Sequence, residues 1–159
     1  MQKITSAKTS INKTKVPALF RKVNWVVGSS NLDIGGGKYD TATIYLSENY
    51  GVWNHVYDPY NRSKEHNEHA LGMDGFDSCT LSNVLNVIKE RKEHEKVVRL
   101  ARKYSPRLFV TIYAGDGTGR GRVTCNGYQH NKKLEAYIPL IRKFYSRVIV
   151  RKGVIYGID

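Results

Sequence analysis

The chain has 159 residues, of which 40% are hydrophobic, and carries a formal net charge of +12. That length and content suit one domain with its own core, and no run of about 18 apolar residues is present to form a transmembrane helix. The start, Met1 to Lys15, is rich in Lys, Ser and Thr and lacks the apolar stretch of a secretion signal. A field of this sign concentrates polyanions, so DNA or RNA is the expected macromolecular partner and a membrane is not. Charge spread over the surface for solubility is the alternative. Cys79 and Cys125 fit neither a zinc pattern nor a redox pair, which implies reduced thiols in a cytoplasmic protein, with Cys79 in the core.

In chain order, residues 1–22 read as a basic arm ending in a short helix around Pro17 to Lys22, and residues 23–159 as one domain. An apolar approach, Trp25-Val26-Val27, leads into a strand ending near Ile34. Thr41 to Leu46 continues as a helix that stops near Asn49-Tyr50-Gly51, because Asn and Gly favour helix ends. Trp53 to Tyr57 is a second strand, closed by Asp58-Pro59. The polar residues 60–72 hold one short helix, and Phe76 to Leu81 reads as a buried strand. A long helix is expected from Lys89 to Tyr104, with Val97, Val98, Leu100, Ala101 and Tyr104 on one stripe. Pro106 breaks it, and Arg107 to Tyr113 is the clearest strand. A glycine-rich loop, Gly115 to Gly121, follows. Leu134 to Phe144 is a helix in spite of Pro139. The strands Arg147–Val150 and Val154–Tyr156 close the chain. Alternating strands and helices imply an α/β three-layer sandwich, Rossmann-like, with a mostly parallel sheet and a C-terminal antiparallel hairpin at its edge.

In such a sheet, ligands bind outside the carboxyl ends of the strands. The first strand ends in Asn31-Leu32-Asp33-Ile34-Gly35-Gly36-Gly37-Lys38-Tyr39-Asp40. Glycines there let a nucleotide-like ligand approach the main chain. The acid narrows the ligand: a carboxylate repels a pyrophosphate and suits ammonium or sulfonium charge with hydroxyls. That points from NAD or ATP towards S-adenosyl-L-methionine (SAM). Asp58 at the end of the second strand is placed to accept hydrogen bonds from ribose hydroxyls. Asp74, Ser82 and Asn83 flank the third strand.

These residues resemble the Rossmann-like (class I) SAM-dependent methyltransferases. In that family the first motif holds the methionine end of the cofactor, the acid of the second strand binds the ribose, and the next acid contacts the adenine amine. The resemblance implies these roles for Asp33, Gly35, Gly36 and Gly37, then Asp58, then Asp74, with Ser82 beside them. Asp58-Pro59-Tyr60-Asn61-Arg62-Ser63 together with Ser82-Asn83-Val84-Leu85-Asn86-Val87-Ile88 resembles a narrower group of small methyltransferase-like proteins from phages and bacteria. This places the chain in a bacterial cell or phage-infected host. Tyr39 departs from the pattern where many members carry a further glycine, and the segment between Asp58 and Asp74 is too short for a full helix and strand.

Methyl transfer needs an aligned nucleophile held by a positioned polar group. Asn83 is the leading candidate and Tyr60 follows, with Asn86 behind them; a turn or cap role for Asn83 with Ser82 is the alternative. Arg62, and Arg120 and Arg122 beside the glycine-rich loop, are candidates for gripping substrate phosphate, the loop acting as a lid. Glu65-His66-Asn67-Glu68-His69 has two histidines three apart but no further ligand cluster, so a solvated helix face is expected and no metal. The expected function is a SAM-dependent methyltransferase, with nucleic acid or a nucleotide-containing molecule as acceptor. The alternatives are a SAM-binding or SAM-consuming protein without transfer, and a basic nucleic-acid-binding module on the same scaffold.

Overall fold

A computed structural model of the protein describes residue 4 and residues 13–159. Most of the expected basic arm therefore lies outside the described residues; its helical end is α1 (Ala18–Lys22). The elements that follow are β1 (Ser30–Ile34), α2 (Thr41–Tyr50), β2 (Trp53–Tyr57), α3 (Lys64–Leu71), β3 (Ser78–Ser82), α4 (Arg91–Tyr104) and β4 (Arg107–Thr111). A short hairpin, β5 (Arg122–Thr124) and β6 (Gly127–Gln129), comes next. After a 3-10 turn, Leu134–Tyr137, the chain ends in α5 (Ile138–Ile141), β7 (Arg147–Arg151) and β8 (Val154–Ile158).

Six strands form one sheet in the order β2-β1-β3-β4-β8-β7. The first four are parallel, and β8 runs antiparallel to both β4 and β7. The hairpin turn is Lys152-Gly153, both at positive φ (51° and 73°), the geometry that matches the twist of the flanking strands. The Rossmann-like α/β architecture with its antiparallel C-terminal hairpin is as the sequence implies.

Strand alternation divides the core. Leu32, Ile34, Cys79, Leu81, Leu108 and Val110 join one cluster with Val98, Ala101, Ile141 and Tyr145 of the helical layer on that side. Leu19, Phe20, Trp25, Ala42, Leu46 and Val154 form the second cluster, against which Phe109 packs. The residues between them on β1 and β3 are polar, and they satisfy one another. Ser78 donates to Asn31 Oδ1 (2.8 Å), Asn31 Nδ2 donates to Thr80 Oγ1 (3.0 Å) and to Asn54 Oδ1 (2.7 Å), and Thr80 Oγ1 donates to Asp33 Oδ1 (2.9 Å). Asn54 Nδ2 reaches Thr43 of α2 at 2.9 Å.

Two expectations change, one near each end of the chain. Trp25-Val26-Val27 is not strand: Trp25 turns into the second cluster, donating Nε1 to Phe20 O, while Val26 and Val27 are exposed ahead of a turn at Gly28. Expected as one helix, Leu134 to Phe144 is instead a 3-10 turn and a single turn of α5, with Pro139 in its first positions. No helix among the described residues is long and apolar enough to cross a membrane.

At the β2 edge, α3 takes the place of a neighbouring strand. Ser63 caps it by accepting from His66 N, His66 Nε2 donates to Val56 O (2.9 Å), and Asn67 Oδ1 accepts from Asp58 N (2.8 Å). Asn67 Nδ2 also reaches Asp58 O and Arg62 O. This one amide fixes the chain where β2 ends. Asn67→Ala is expected to lower stability by about 1–3 kcal/mol, the cost of stranding buried backbone groups. Urea unfolding of the two proteins measures it, and an unchanged midpoint would refute the assignment.

Candidate cofactor and acceptor cavity

The carboxyl ends of β1, β2, β3 and β4 open onto a cavity of about 690 Å³. This is a size typical of small-molecule sites. Its wall over β1 and β2 is made by Gly35, Gly36, Gly37, Asp58, Tyr60 and Asn61; over β3 and β4 it is made by Ser82, Asn83, Asn86, Tyr113, Tyr128 and Gln129.

The glycines are required by the space around them. Gly35 and Gly37 have φ of 75° and 78°. A Cβ on Gly36 would strike the Asp33 carboxylate and Val56, and one on Gly35 would strike Val84. The loop therefore lies flat over buried side chains and presents backbone to the cavity.

Asp58 ties the loop down. Its Oδ2 accepts from Gly37 N (2.9 Å) and Asn61 Nδ2 (3.0 Å), and its Oδ1 accepts from Tyr60 N (3.0 Å) and Asn61 N (3.1 Å). The expected ribose acid is on the cavity wall, but its lone pairs are occupied within the protein. A sugar hydroxyl reaches it by displacing the Asn61 side chain, the one donor of the four that is free to swing.

Asp33 sits beneath this loop and does not line the cavity. It is 2% exposed, and burial raises its carboxyl to about 7 against the downward pull of the Thr80 hydrogen bond. Asp58 nearby pushes in the same upward direction and Arg62 opposes it.

Arg62 is not a free phosphate-gripping group. Its Nε donates to Gly37 O (2.7 Å) and its guanidinium pairs with Asp40 (2.8 Å), so it braces the glycine loop from outside. Arg120 and Arg122 are exposed and stand outside the cavity wall. The glycine-rich loop beside them is folded back: Gly119 N donates to Asn131 O and Asn131 Nδ2 donates to Arg120 O. Asp74 is on an exposed turn before β3, on the amino-terminal side of that strand and away from the carboxyl ends that form the cavity. The short α3 connection explains this displacement, since no strand carries the chain back to the ligand edge before Asp74.

Asn83 is brought to the cavity at φ 58°, a left-handed conformation that Asn tolerates better than most residues, with its N–H donated to Thr111 O (3.0 Å). This turn sends Val84 to Ile88 along the cavity wall. Ser82 Oγ and Asn86 Oδ1 are buried there without a hydrogen-bond partner. His66 and His69 are engaged elsewhere, the first with Val56 O and the second against the His55 ring. No cluster of three or more metal-ligating side chains is found among the described residues.

Tyr113, Tyr128 and Gln129 escaped the sequence reading. Their signal was present as the Asn-Gly step Asn126-Gly127 after Arg122–Thr124, a hairpin pattern whose turn is Cys125-Asn126 and whose second strand starts at Gly127.

No protein-family model and no curated protein matches the sequence. Solved structures do. DesVI from Streptomyces venezuelae matches with a TM-score of 0.57 at 12% identity, over 97% of this chain and 91% of that one. A TehB-like SAM-dependent methyltransferase from Corynebacterium glutamicum matches with a TM-score of 0.51 at 12% identity, over 94% and 89%. The N-terminal domain of EvdMO1 with SAH bound matches with a TM-score of 0.51 at 12% identity, over 82% and 74%. The chain thus has the Rossmann-like fold of SAM-dependent methyltransferases.

The buried carboxyl gives a signed pH dependence. In the unfolded chain Asp33 ionises near the ordinary carboxylate value of about 4, and in the folded protein near 7. Between the two the folded state binds more protons, so this group's contribution to stability falls as pH rises across that window and levels off above it. Asp33→Asn is expected to remove that fall: the variant gains on the parent in thermal melts at pH 8, and the gain shrinks towards pH 4.5. Parallel melting curves at the two pH values would contradict the assignment.

Proposed function

We propose that the protein is a SAM-dependent methyltransferase whose cofactor lies over the ends of β1 and β2 and whose acceptor lies over β3 and β4. The observation that carries this reading is the flat glycine loop, Gly35 to Gly37, tied to Asp58 at the wall of a cavity large enough for both molecules. The residues fit the cofactor. The loop leaves room for a ligand against main chain, Asp58 is the one carboxylate on the β1–β2 side of the wall, and Asp33 beneath supplies negative charge when ionised.

SAM, when bound, supplies an electrophilic methyl on a sulfonium; transfer leaves the neutral thioether, and the proton of the acceptor goes to solvent. The protein's part is placement. Asp58 and the glycines set the cofactor's position, Tyr60 closes over that end, and Asn83 projects its amide from the end of β3 where the acceptor meets the methyl. No general base is needed for a neutral amine, and none is assigned.

A nucleic acid or nucleotide-containing acceptor is supported by the net charge of +12, with Arg120 and Arg122 exposed on the segment beside the cavity. No arginine lines the cavity itself.

Calorimetric titration tests the cofactor. The protein is expected to bind SAM and its demethylated product, SAH, and Asp58→Ala is expected to weaken both at least about tenfold, since the loop and its acceptor carboxylate are lost together. Absence of binding by the parent protein would overturn the proposal. Tritiated-methyl transfer to DNA, RNA and a cell extract then identifies the acceptor class, and SAM breakdown without a labelled acceptor would favour a SAM-consuming protein.

A further inference from the structure

The cavity half over β3 and β4 contains an oriented, unsatisfied acceptor. Asn86 is 2% exposed, lines the cavity, and its Oδ1 has no hydrogen-bond partner. A buried carbonyl oxygen without a donor costs about 1–3 kcal/mol, so its retention here calls for an explanation.

Its orientation is fixed by a chain of amides. Gln129 Nε2 donates to Tyr113 O at 2.8 Å, and only an N–H can sit against that carbonyl. Gln129 Oε1 therefore faces Asn86, whose Nδ2 donates to it at 3.2 Å. The Asn86 oxygen is left pointing away from both. Turning the Asn86 amide over would set two oxygens against each other.

The backbone of this segment is held as firmly. His130 N donates to Asn86 O (2.9 Å), and the ring Nε2 atoms of His94 and His130 both donate to Ile88 O (2.7 and 2.6 Å). With the backbone fixed, turning the Asn86 oxygen elsewhere would break the amide's own bond to Gln129. Around it the wall carries apolar groups and rings, Val87, Ile88, Val97, Tyr113 and Tyr128, and the paired charges of Glu93 and Lys96 also line the cavity.

We propose that this half of the cavity is a subsite for a flat, uncharged ring carrying an N–H or O–H, which donates to Asn86 Oδ1 while the ring rests against the apolar wall. Asn86 is then the specificity-determining residue for the methyl acceptor, and Gln129 on β6 is the residue that orients it. An uncharged donor is selected because Glu93 is already paired with Lys96, and an amide oxygen compensates a hydrogen bond but not a buried charge. A hydrogen bond from the acceptor's own N–H or O–H also leaves a lone pair on that atom directed elsewhere, as methyl transfer requires. The inference deepens the methyltransferase reading and rests on it.

The test compares small probes of nearly equal shape on the full chain loaded with SAH. Phenol and aniline carry the donor; fluorobenzene does not. Titration followed by nitrogen-15 NMR is expected to give phenol and aniline at least about tenfold tighter binding than fluorobenzene, with the Asn86 and Gln129 side-chain amide resonances moving only for the donors. Asn86→Leu is expected to abolish the preference. Gln129→Leu is expected to reduce it, because the Asn86 amide is then free to turn.

Equal binding of all three probes, or none, with SAH bound would overturn this proposal and leave the cofactor reading standing. Loss of SAH binding by the parent protein would instead overturn the cofactor reading, and this one with it. Should Asn86→Leu fail to fold, the comparison of phenol with fluorobenzene on the parent protein decides alone.

Discussion

A carboxylate offers about four lone-pair directions to donors, and at Asp58 four protein donors fill them. One comes from the end of β1 and three from the turn after β2, so this group joins the two strand ends that form half of the cavity. The glycine loop cannot be held this way by a longer contact, because Gly37 must bring its N–H to 2.9 Å while Gly36 lies against Asp33 and Val56. Arg62 completes the arrangement from the far side by bonding Gly37 O. The loop is thus gripped at both of Gly37's backbone groups, and the turn after β2 is shaped by the same residue that shapes the loop after β1.

The polar ladder beneath explains why two acids can be buried so close together. Ser78, Asn31 and Thr80 hand hydrogen bonds along one face of β3 and β1, and the last donor ends on Asp33. Each member is satisfied by the next, which is the condition under which a buried polar network is tolerated. Asp33 relieves the remaining electrostatic strain by holding its proton to about pH 7. The opposite face of the same strands is apolar and packs against α4 and α5, so the sheet is anchored by hydrophobic burial on one side and specified by register-sensitive hydrogen bonds on the other. A one-residue slip of β1 would exchange the two sets.

Much of this was legible because it is periodic or locally determined. The α4 stripe, the left-handed Gly51 after α2, the end of β2 at Asp58-Pro59 and the paired C-terminal strands all follow from side-chain spacing or from backbone preference. The failures share a different cause. Trp25-Val26-Val27 has strand composition, but the large indole is claimed by Phe20 and Phe109, and a tertiary ring contact overrides a local preference. Asp74 has the expected residue type away from the cavity, since only the topology reveals that its turn lies at the amino-terminal end of β3. Arg62 looked like a free cation because sequence cannot show that Asp40 and Gly37 O come to meet it. Gln129 is more than forty residues from Asn86 in sequence, and no spacing rule connects them.

The two halves of the cavity are therefore built on different principles, and this bears on how each can change. The half over β1 and β2 presents backbone and a saturated carboxylate; altering it means altering φ, or a group with four partners. The half over β3 and β4 presents side-chain amides and rings, Asn83, Asn86 and Tyr113 from the strand ends and Tyr128 and Gln129 from a hairpin that the sheet does not need for its own pairing. None of Tyr113, Tyr128 and Gln129 belongs to the six-stranded sheet or to the glycine loop. Asn86 lies at the junction: it follows the turn at Asn83 on the β3 side, while its backbone carbonyl is bonded by His130 N and its side chain is aimed by Gln129 of β6.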